Sequence, residues 1–259
     1  MIEVAALLAA GLGERLVLVH AVTDSGIDAL ETGRRRKGAA ALLEGCQRSA
    51  EASHGLEVHT RLRGGGAAAV ILAAVQEEAG SLIVLGSRGR PRLPWPTLCE
   101  RLERWSPVPV LALQEGTTAW SGWLKEGFPL RLTVGVGLEG SFPSVRRFVA
   151  TLFRAGPISP RFVHVVGWGR KSPLELERLE GTVGASSRID ILHGRWPDAL
   201  LAFSQREETD VTILGGGGLR GDRLWRRGAR LLSLARCATV VVPVRDDSAA
   251  ANVEIPLSP

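Results

Sequence analysis

Short runs of consecutive apolar residues alternate along this chain with longer segments whose apolar residues recur every three or four positions. The runs LVLVHAV, SLIVLGS and VTILG are examples of the first kind. Continuous runs rich in Val, Ile and Leu predict strands that are buried on both faces, and the helical spacing predicts amphipathic helices. Their alternation predicts an α/β fold with parallel sheets that helices cover on both sides.

The order of these segments occurs twice. GSLIVLGSRG at residues 80–89 and TDVTILGGGG at residues 209–218 are both strand-like runs that lead into a glycine-rich loop. Before the loops, three further pairs of segments correspond in the same order. They are a strand with a histidine near its end (residues 14–22 and 160–166), a strand that ends at glycine (56–65 and 188–194) and an amphipathic helix (70–78 and 199–208). After the loops, each copy has a helix and a last strand (residues 98–105 and 108–113, then 229–236 and 238–244). The chain is therefore predicted to be a tandem repeat of one doubly wound domain.

The repeat sets the predicted domain boundaries. The two domains cover residues 1–114 and 130–245. Residues 115–129 break the periodicity and are interpreted as a linker. Residues 246–259 have no counterpart in the first copy and are interpreted as a tail.

The two copies differ at their beginnings. The second opens with LRLTVGVGLEGS, a strand followed by a turn, and then a helix at residues 144–153. The first opens directly with the corresponding helix, VAALLAAGL at residues 4–12. We expect the first domain to lack its first strand, which would leave backbone groups of the sheet unpaired. We therefore expect either a start codon further upstream or another segment that fills the gap.

Composition narrows the class of protein. Of 259 residues, 45% are hydrophobic and 23% are charged, as in ordinary globular domains. No apolar run is long enough for a membrane span, and no basic leader precedes the first apolar stretch, so we expect a cytoplasmic protein. The net charge of +5 comes almost entirely from arginine, and there is a single Asn and a single Met. Such usage suits a thermophilic bacterium.

Candidate catalytic and metal-binding residues are few. Cys46, Cys99 and Cys237 are widely spaced, which predicts neither a disulfide framework nor a zinc site. His20 and His164 occupy equivalent strand ends, and no nucleophile or carboxylate stands at a recognisable spacing from either. We predict packing or hydrogen-bonding roles for these histidines, no metal site and no catalytic residue.

Each half resembles the universal stress protein domain, and the whole chain resembles a tandem member of that family. The features that carry the resemblance are the histidine-ended strand, the strand that runs into Gly-x2-Gly, and a further glycine at the start of the next helix. The resemblance implies the adenine nucleotide α-hydrolase-like fold, a five-stranded parallel sheet in the order 3-2-1-4-5. It also implies that the last strands of the two halves pair, forming an internal pseudo-dimer, and that the protein forms a homodimer.

In the ATP-binding members of that family, the pattern Gly-x2-Gly-x9-Gly-(Ser/Thr) holds the phosphates with backbone N–H groups at a helix start. In the second half Gly215, Gly218 and Gly228 match the three glycines, but Ala229 replaces the hydroxyl residue. Gly137 stands at or next to the position of an acidic residue that contacts the nucleotide. The resemblance therefore implies a weak ATP site in the second half, with Mg²⁺ bound only together with the nucleotide.

The first half departs further from the pattern. Gly86 and Gly89 match the first two glycines, but the later pair of positions falls on Cys99 and Glu100. The intervening loop RPRLPWP contains three prolines, which have no N–H to donate. A carboxylate at the phosphate end would repel the ligand, so we expect no working site in this half.

The function predicted from these features is non-catalytic: a stress-response or regulatory protein that binds adenine nucleotide weakly or acts through an unknown protein partner. An alternative is a nucleotide-dependent switch or slow ATPase, because slow hydrolysis needs little beyond positioning and Mg²⁺. A lower alternative is a basic nucleic-acid-binding accessory, suggested by RRRK at residues 34–37. No nucleic-acid-binding motif accompanies that run, and no membrane partner is expected.

Overall fold

The fold is described from a computed structural model of the chain, for residues 1–23, 29–87, 97–114, 119–137, 142–167, 189–215 and 235–243. The helices of these residues are α1 (Ile2–Leu12), α2 (Ala29–His54), α3 (Ala67–Glu77), α4 (Leu98–Trp105), α5 (Ala119–Glu126), α6 (Phe142–Ala155) and α7 (Trp196–Arg206). The strands are β1 (Leu16–Val22), β2 (Val58–Gly64), β3 (Ile83–Ser87), β4 (Val110–Gln114), β5 (Leu130–Gly135), β6 (Ile158–Val166), β7 (Ile189–His193), β8 (Val211–Gly215) and β9 (Ala238–Val242).

These strands form two sheets. One contains β1 and β2, and the other has the order β3-β4-β9-β8-β5-β6-β7. The chain correspondingly divides into two compact units, Met1–Ile83 and Val84–Pro259. Helices alternate with mostly parallel strands, which confirms the predicted α/β class.

The strands of the second half follow the predicted order. Within the larger sheet, β5 pairs in parallel with β6 and with β8, β6 pairs with β7, and β8 pairs with β9. Numbered within this half, the strands therefore run 3-2-1-4-5. The last strands of the two halves, β4 and β9, pair antiparallel, with Val110 opposite Val241 and Ala112 opposite Thr239. This is the pairing that the resemblance implied.

The core of the second half explains why its strands are so uniformly apolar. All five residues of β9 are buried, and so are the first four of β8. On the helix side, Val145 and Val149 of α6 are completely buried one turn apart. Phe203 of α7 packs in one cluster with Val163 and Leu214. Strands covered on both faces are largely apolar, and the buried polar residues of β8 and β9 are Thr212 and Thr239.

In the first unit, β1 and β2 pair in parallel from Leu16 opposite Val58 to Val22 opposite Gly64. Helices α1 and α2 bury small and aliphatic side chains against this pair of strands. Helix α1 ends at Gly13, whose φ of 67° lies in the left-handed region, and its N–H closes the last turn on the carbonyls of Ala9 and Ala10.

The two halves contribute different numbers of strands to the described part of the chain, and the absence of a first strand from the first half stays a prediction. Among the described residues it contributes four strands, β1 to β4, whereas the second half contributes five. In the order 3-2-1-4-5, strand one separates the second strand from the fourth. Among the described residues no strand pairs with both β1 and β3, and β1–β2 and β3–β4 belong to different sheets.

The segment interpreted as a linker, residues 115–129, contains α5, which the sequence analysis did not predict. Trp120 and Trp123 are each only 1% exposed, and their rings meet edge to face at 5.7 Å. Two tryptophans three residues apart lie on one helix face, so the pair buries one side of a short helix. The role of this segment as a domain boundary stays a prediction, and the predicted tail lies outside the described residues.

Candidate functional site

The second half provides the place where a doubly wound sheet binds its ligand. Strand β5 lies between β6 and β8, so the strand order reverses at β5. Ligands of such sheets bind beyond the carboxyl ends of the strands at this reversal. Val134 of β5 is opposite Ile213 of β8, which brings the carboxyl ends of the two strands side by side. Gly137 follows the end of β5 and is exposed, and Gly215 is the last residue of β8.

Gly135, the last residue of β5, lies tightly against the neighbouring strand. A Cβ at this position would lie 2.8 Å from Leu214 Cδ2 and 3.6 Å from the Ile213 carbonyl oxygen. Any side chain here would have to displace the end of the Leu214 side chain, which accounts for the glycine.

The chain segment that follows β5 is fixed by two hydrogen bonds. The Val136 N–H donates to the Val163 carbonyl at 2.8 Å, and His164 Nδ1 lies 2.8 Å from the Val136 carbonyl oxygen. A carbonyl can only accept, so Nδ1 carries the proton in this contact. His164 therefore holds the backbone at the end of β5, in agreement with the predicted hydrogen-bonding role.

The remaining predicted site residues of the second half, Gly218, Gly228 and Ala229, lie outside the described residues, as does Gly89 of the first half. Gly86 lies within β3 and is exposed. The phosphate loop beyond Gly215 therefore stays a prediction from the sequence.

In the first half, the helix start that corresponds to the phosphate site is closed by its own side chains. Helix α4 has Thr97 as its N-cap. The Glu100 N–H donates to Thr97 Oγ1 at 3.3 Å, and the Thr97 N–H donates to Glu100 Oε2 at 2.6 Å. This reciprocal pair is a capping box. The Glu100 carboxylate, in a residue only 8% exposed, thus takes the favourable position for an anion at the helix N-terminus.

A second carboxyl group, that of Glu103, lies further along the same helix. Burial, and then the charge of Glu100, raise the pKa of Glu103 well above its usual value. Glu103 Oε1 is buried without a hydrogen-bond partner among the described residues. Burial and the neighbouring Glu100 charge thus favour the neutral form of Glu103.

The signal for this cap was present in the sequence. Thr97-x-x-Glu100 directly before an amphipathic helix is the capping-box pattern. The sequence analysis treated Glu100 only as a repulsive replacement at a phosphate position. In the structure, the Glu100 carboxylate also accepts a hydrogen bond from the Thr97 N–H at the start of the helix.

Cys46, Cys99 and Cys237 are free. Burial, followed by the charges of Glu103 and Glu100, raises the pKa of Cys99 to about 12. Burial also raises the pKa of Cys237, whose Sγ lies 3.3 Å from Thr212 Oγ1. Neither thiol forms a thiolate readily near neutral pH, so neither is suited to nucleophilic catalysis. Within the described ranges, no cluster of three metal-ligating side chains occurs.

A buried ionic cluster in the first unit was not predicted. The Glu78 carboxylate forms an ion pair with Arg61 and lies 3.4 Å from Arg15 Nη2 and 3.6 Å from His59 Nδ1. Burial acts to raise the pKa of Glu78, but Arg61, His59 and Arg15 together lower it below its usual value. Glu78, at the C-terminal end of α3, thus has three basic side chains around its carboxylate.

The basic run at residues 34–37 is exposed near the beginning of α2. Arg35 pairs with Glu31 at 2.8 Å, one turn away. This is the arrangement of a solvated helix surface. None of the helices in the described parts of the chain has the length and apolar character needed to cross a membrane.

Comparison with known proteins agrees with this architecture. The model of the universal stress protein family matches residues 1–114. The match falls on the first half, and the likeness of the second half rests on its strand order. No curated protein matches the chain.

Solved structures show the same fold over nearly the whole chain. A universal stress protein from Archaeoglobus fulgidus is 17% identical, with a TM-score of 0.75 over 94% of this chain and 93% of that chain. A functionally unknown protein from Pseudomonas aeruginosa is 16% identical, with a TM-score of 0.60 over 93% of this chain and 86% of that chain. Residues 1–114 are thus similar in sequence to the universal stress protein family, and the solved structures show that the chain shares the fold.

Proposed function

We propose that this protein is a cytoplasmic stress-response or regulatory protein that binds one adenine nucleotide weakly, in its second half, without catalysing a reaction on it. The observation that carries the proposal is the contrast between the two halves. The Glu100 carboxylate caps the relevant helix start of the first half. In the second half the carboxyl ends of β5 and β8 lie side by side, with Gly137 exposed.

The weakness of the site follows from the side chains that are missing. Backbone N–H groups after Gly215 would remain available for phosphate oxygens. Gly137 offers no carboxylate to the nucleotide, and Ala229 offers no hydroxyl. A hydrogen bond to a charged group contributes about 1.5–3 kcal/mol, so each lost contact weakens binding by about tenfold to a hundredfold.

The test is calorimetric titration of the full chain with ATP, with and without Mg²⁺. We expect one site per chain with a dissociation constant well above the low micromolar range, and no phosphate release. Gly137→Asp and Ala229→Ser should each raise the affinity about tenfold. Gly137→Asn, which has the same shape without the charge, should give a smaller gain.

Glu100→Gln is the control for the first half, because glutamine keeps the capping box and removes the charge. It should leave ATP binding unchanged. Low-micromolar binding by the native chain, two sites per chain, or a response to Glu100→Gln but not to Gly137→Asp would each overturn the proposal.

A further inference from the structure

The chain leaves β5 through Val136, whose two backbone polar groups are both bound to β6. Its N–H donates to the Val163 carbonyl at 2.8 Å, and its carbonyl accepts from His164 Nδ1 at 2.8 Å. Val136 is only 4% exposed, whereas the next residue, Gly137, is exposed. Val136 therefore anchors the chain directly before it reaches the candidate site.

The two hydrogen bonds of Val136 differ in what they require from the sequence. The bond to Val163 joins two backbone groups, so residues of many types could form it. The parallel register of β5 with β6 ends at Gly135 opposite Val163, and the His164 imidazole extends the contact between the strands one residue further. This second bond needs a side chain with a donor at the position of Nδ1. The direction of the Val136 carbonyl thus depends on one side chain.

The direction of this carbonyl determines the direction of the N–H that follows it. The Val136 carbonyl and the Gly137 N–H belong to one planar trans peptide group, in which they point in opposite directions. Because the carbonyl is directed at His164, the Gly137 N–H points away from the imidazole. Glycine has no side chain that could cover this N–H.

The place of this peptide group in the sheet relates it to a ligand. The imidazole comes from β6 on one side of β5, and β8 lies on the other side. A ligand at this reversal of strand order lies beyond the carboxyl ends of the strands, where Gly137 follows β5. A backbone N–H is a donor, so it suits an acceptor atom such as a phosphate oxygen or a ring nitrogen of a nucleotide.

We propose that His164 is a positioning residue of the nucleotide site, which orients the Val136–Gly137 peptide group so that the Gly137 N–H donates to an acceptor atom of the nucleotide. This inference rests on the proposed function, because it assigns His164 a role in that same site. Without the imidazole donor, the peptide group has to be ordered when the ligand binds, and such ordering costs affinity. The role does not require the ring to touch the nucleotide.

The variants that test this role are His164→Asn and His164→Leu, whose side chains have nearly the same shape. The amide nitrogen of asparagine branches from Cγ as Nδ1 of histidine does, so it can donate to the Val136 carbonyl, whereas leucine cannot. In calorimetric titrations of the full chain with ATP, His164→Leu should bind about fivefold more weakly than the native chain, and His164→Asn within about twofold of it. Amide hydrogen exchange of Gly137 without ligand should be clearly faster in His164→Leu than in His164→Asn.

Thr209→Ala is the matched control for a general loss of stability. The Thr209 hydroxyl lies 2.6 Å from that of Thr133 on β5, and Thr209 precedes the amino end of β8, at the opposite end of the strands from Gly137. Its removal should destabilise the chain about as much as His164→Leu does, and it should leave ATP affinity within about twofold of the native value. In the native chain, the nitrogen resonances of the neutral His164 imidazole should show the proton on Nδ1.

The outcomes separate this inference from the proposed function. If the native chain does not bind ATP, the proposed function is wrong and this inference falls with it. If the native chain binds ATP but His164→Leu binds it as tightly as His164→Asn, only this inference is wrong. The same conclusion follows if Thr209→Ala weakens binding as much as His164→Leu, or if the neutral imidazole of His164 carries its proton on Nε2.

Discussion

Strands β1 and β6 hold the same position in the two copies of this domain, but their surroundings differ. Both carry a histidine near the end, and both pair with the next strand in the same register, His20 opposite Leu62 and His164 opposite Ile191. Strand β6 has a neighbour on each edge, whereas β1 has a described neighbour on one edge only. The two strands thus share an apolar pattern although the described residues pair with both edges of β6 and with only one edge of β1.

The two halves also differ in sequence at the start of the helix predicted after each glycine-rich loop. A sheet needs apolar side chains wherever it is covered, so the strands of both halves keep a common pattern. Loops and helix starts carry the chemistry and vary more freely. At the start of α4 in the first half, Thr97 and Glu100 form two reciprocal hydrogen bonds, each between the side chain of one residue and the backbone N–H of the other. The Glu100 carboxylate already provides the negative charge that a helix N-terminus favours.

Proline substitution tests the difference between the two strands most strongly. Val163→Pro removes an N–H that faces β5 within a fully paired sheet, and we expect it to lower the free energy of unfolding by about 3 kcal/mol. Val19→Pro removes an N–H that has no acceptor strand among the described residues, so its effect should be below about 1 kcal/mol. Urea denaturation followed by circular dichroism, analysed for each transition, measures both effects.

The two valines make a matched pair because they are counterparts in the repeat and lose the same side chain. A large and equal loss of stability in both variants would contradict the comparison, since it would mean that the edge of β1 that faces away from β2 is paired after all.

Much of the fold could be predicted from the sequence because the strands are buried on both faces. Their unbroken apolar runs located the strands to within a few residues, and the repeat predicted the order 3-2-1-4-5 that the second half has. The helix predicted at residues 98–105 has those bounds in the structure. Helix α5 was missed because it is eight residues long and only Trp120 and Trp123 mark its buried face.

The site was predictable only in part. The sequence indicated which strand ends meet, because the order of strands determines where a doubly wound sheet reverses. It did not show that Gly135 lies against Leu214, since that contact depends on the packing of two strands. The carboxylate at residue 100 was noticed, but its bond to the Thr97 N–H was not inferred.

A smaller effect is expected at the closed helix start. Glu100→Ala removes the side-chain acceptor of the Thr97 N–H, and loss of a cap interaction lowers stability by about 1 kcal/mol. Glu100→Gln should lose much less, because a glutamine side chain can also complete a capping box. Thermal unfolding of the two variants beside the native chain measures the difference. Equal losses would show that the charge of Glu100, and not its hydrogen bond, stabilises α4.

The smallest effect concerns the two histidines. His164→Phe keeps the approximate size of the ring and removes the donor to the Val136 carbonyl, which should lower the free energy of unfolding by about 1 kcal/mol. His20→Phe removes no hydrogen bond to a described residue, so we expect a change within about 0.5 kcal/mol. Chemical denaturation of both variants measures the pair, and hydrogen exchange at Gly137 reports whether the end of β5 loosens. If His20→Phe is as destabilising as His164→Phe, then His20 already has a carbonyl partner, and the two copies are more alike than their strand pairing indicates.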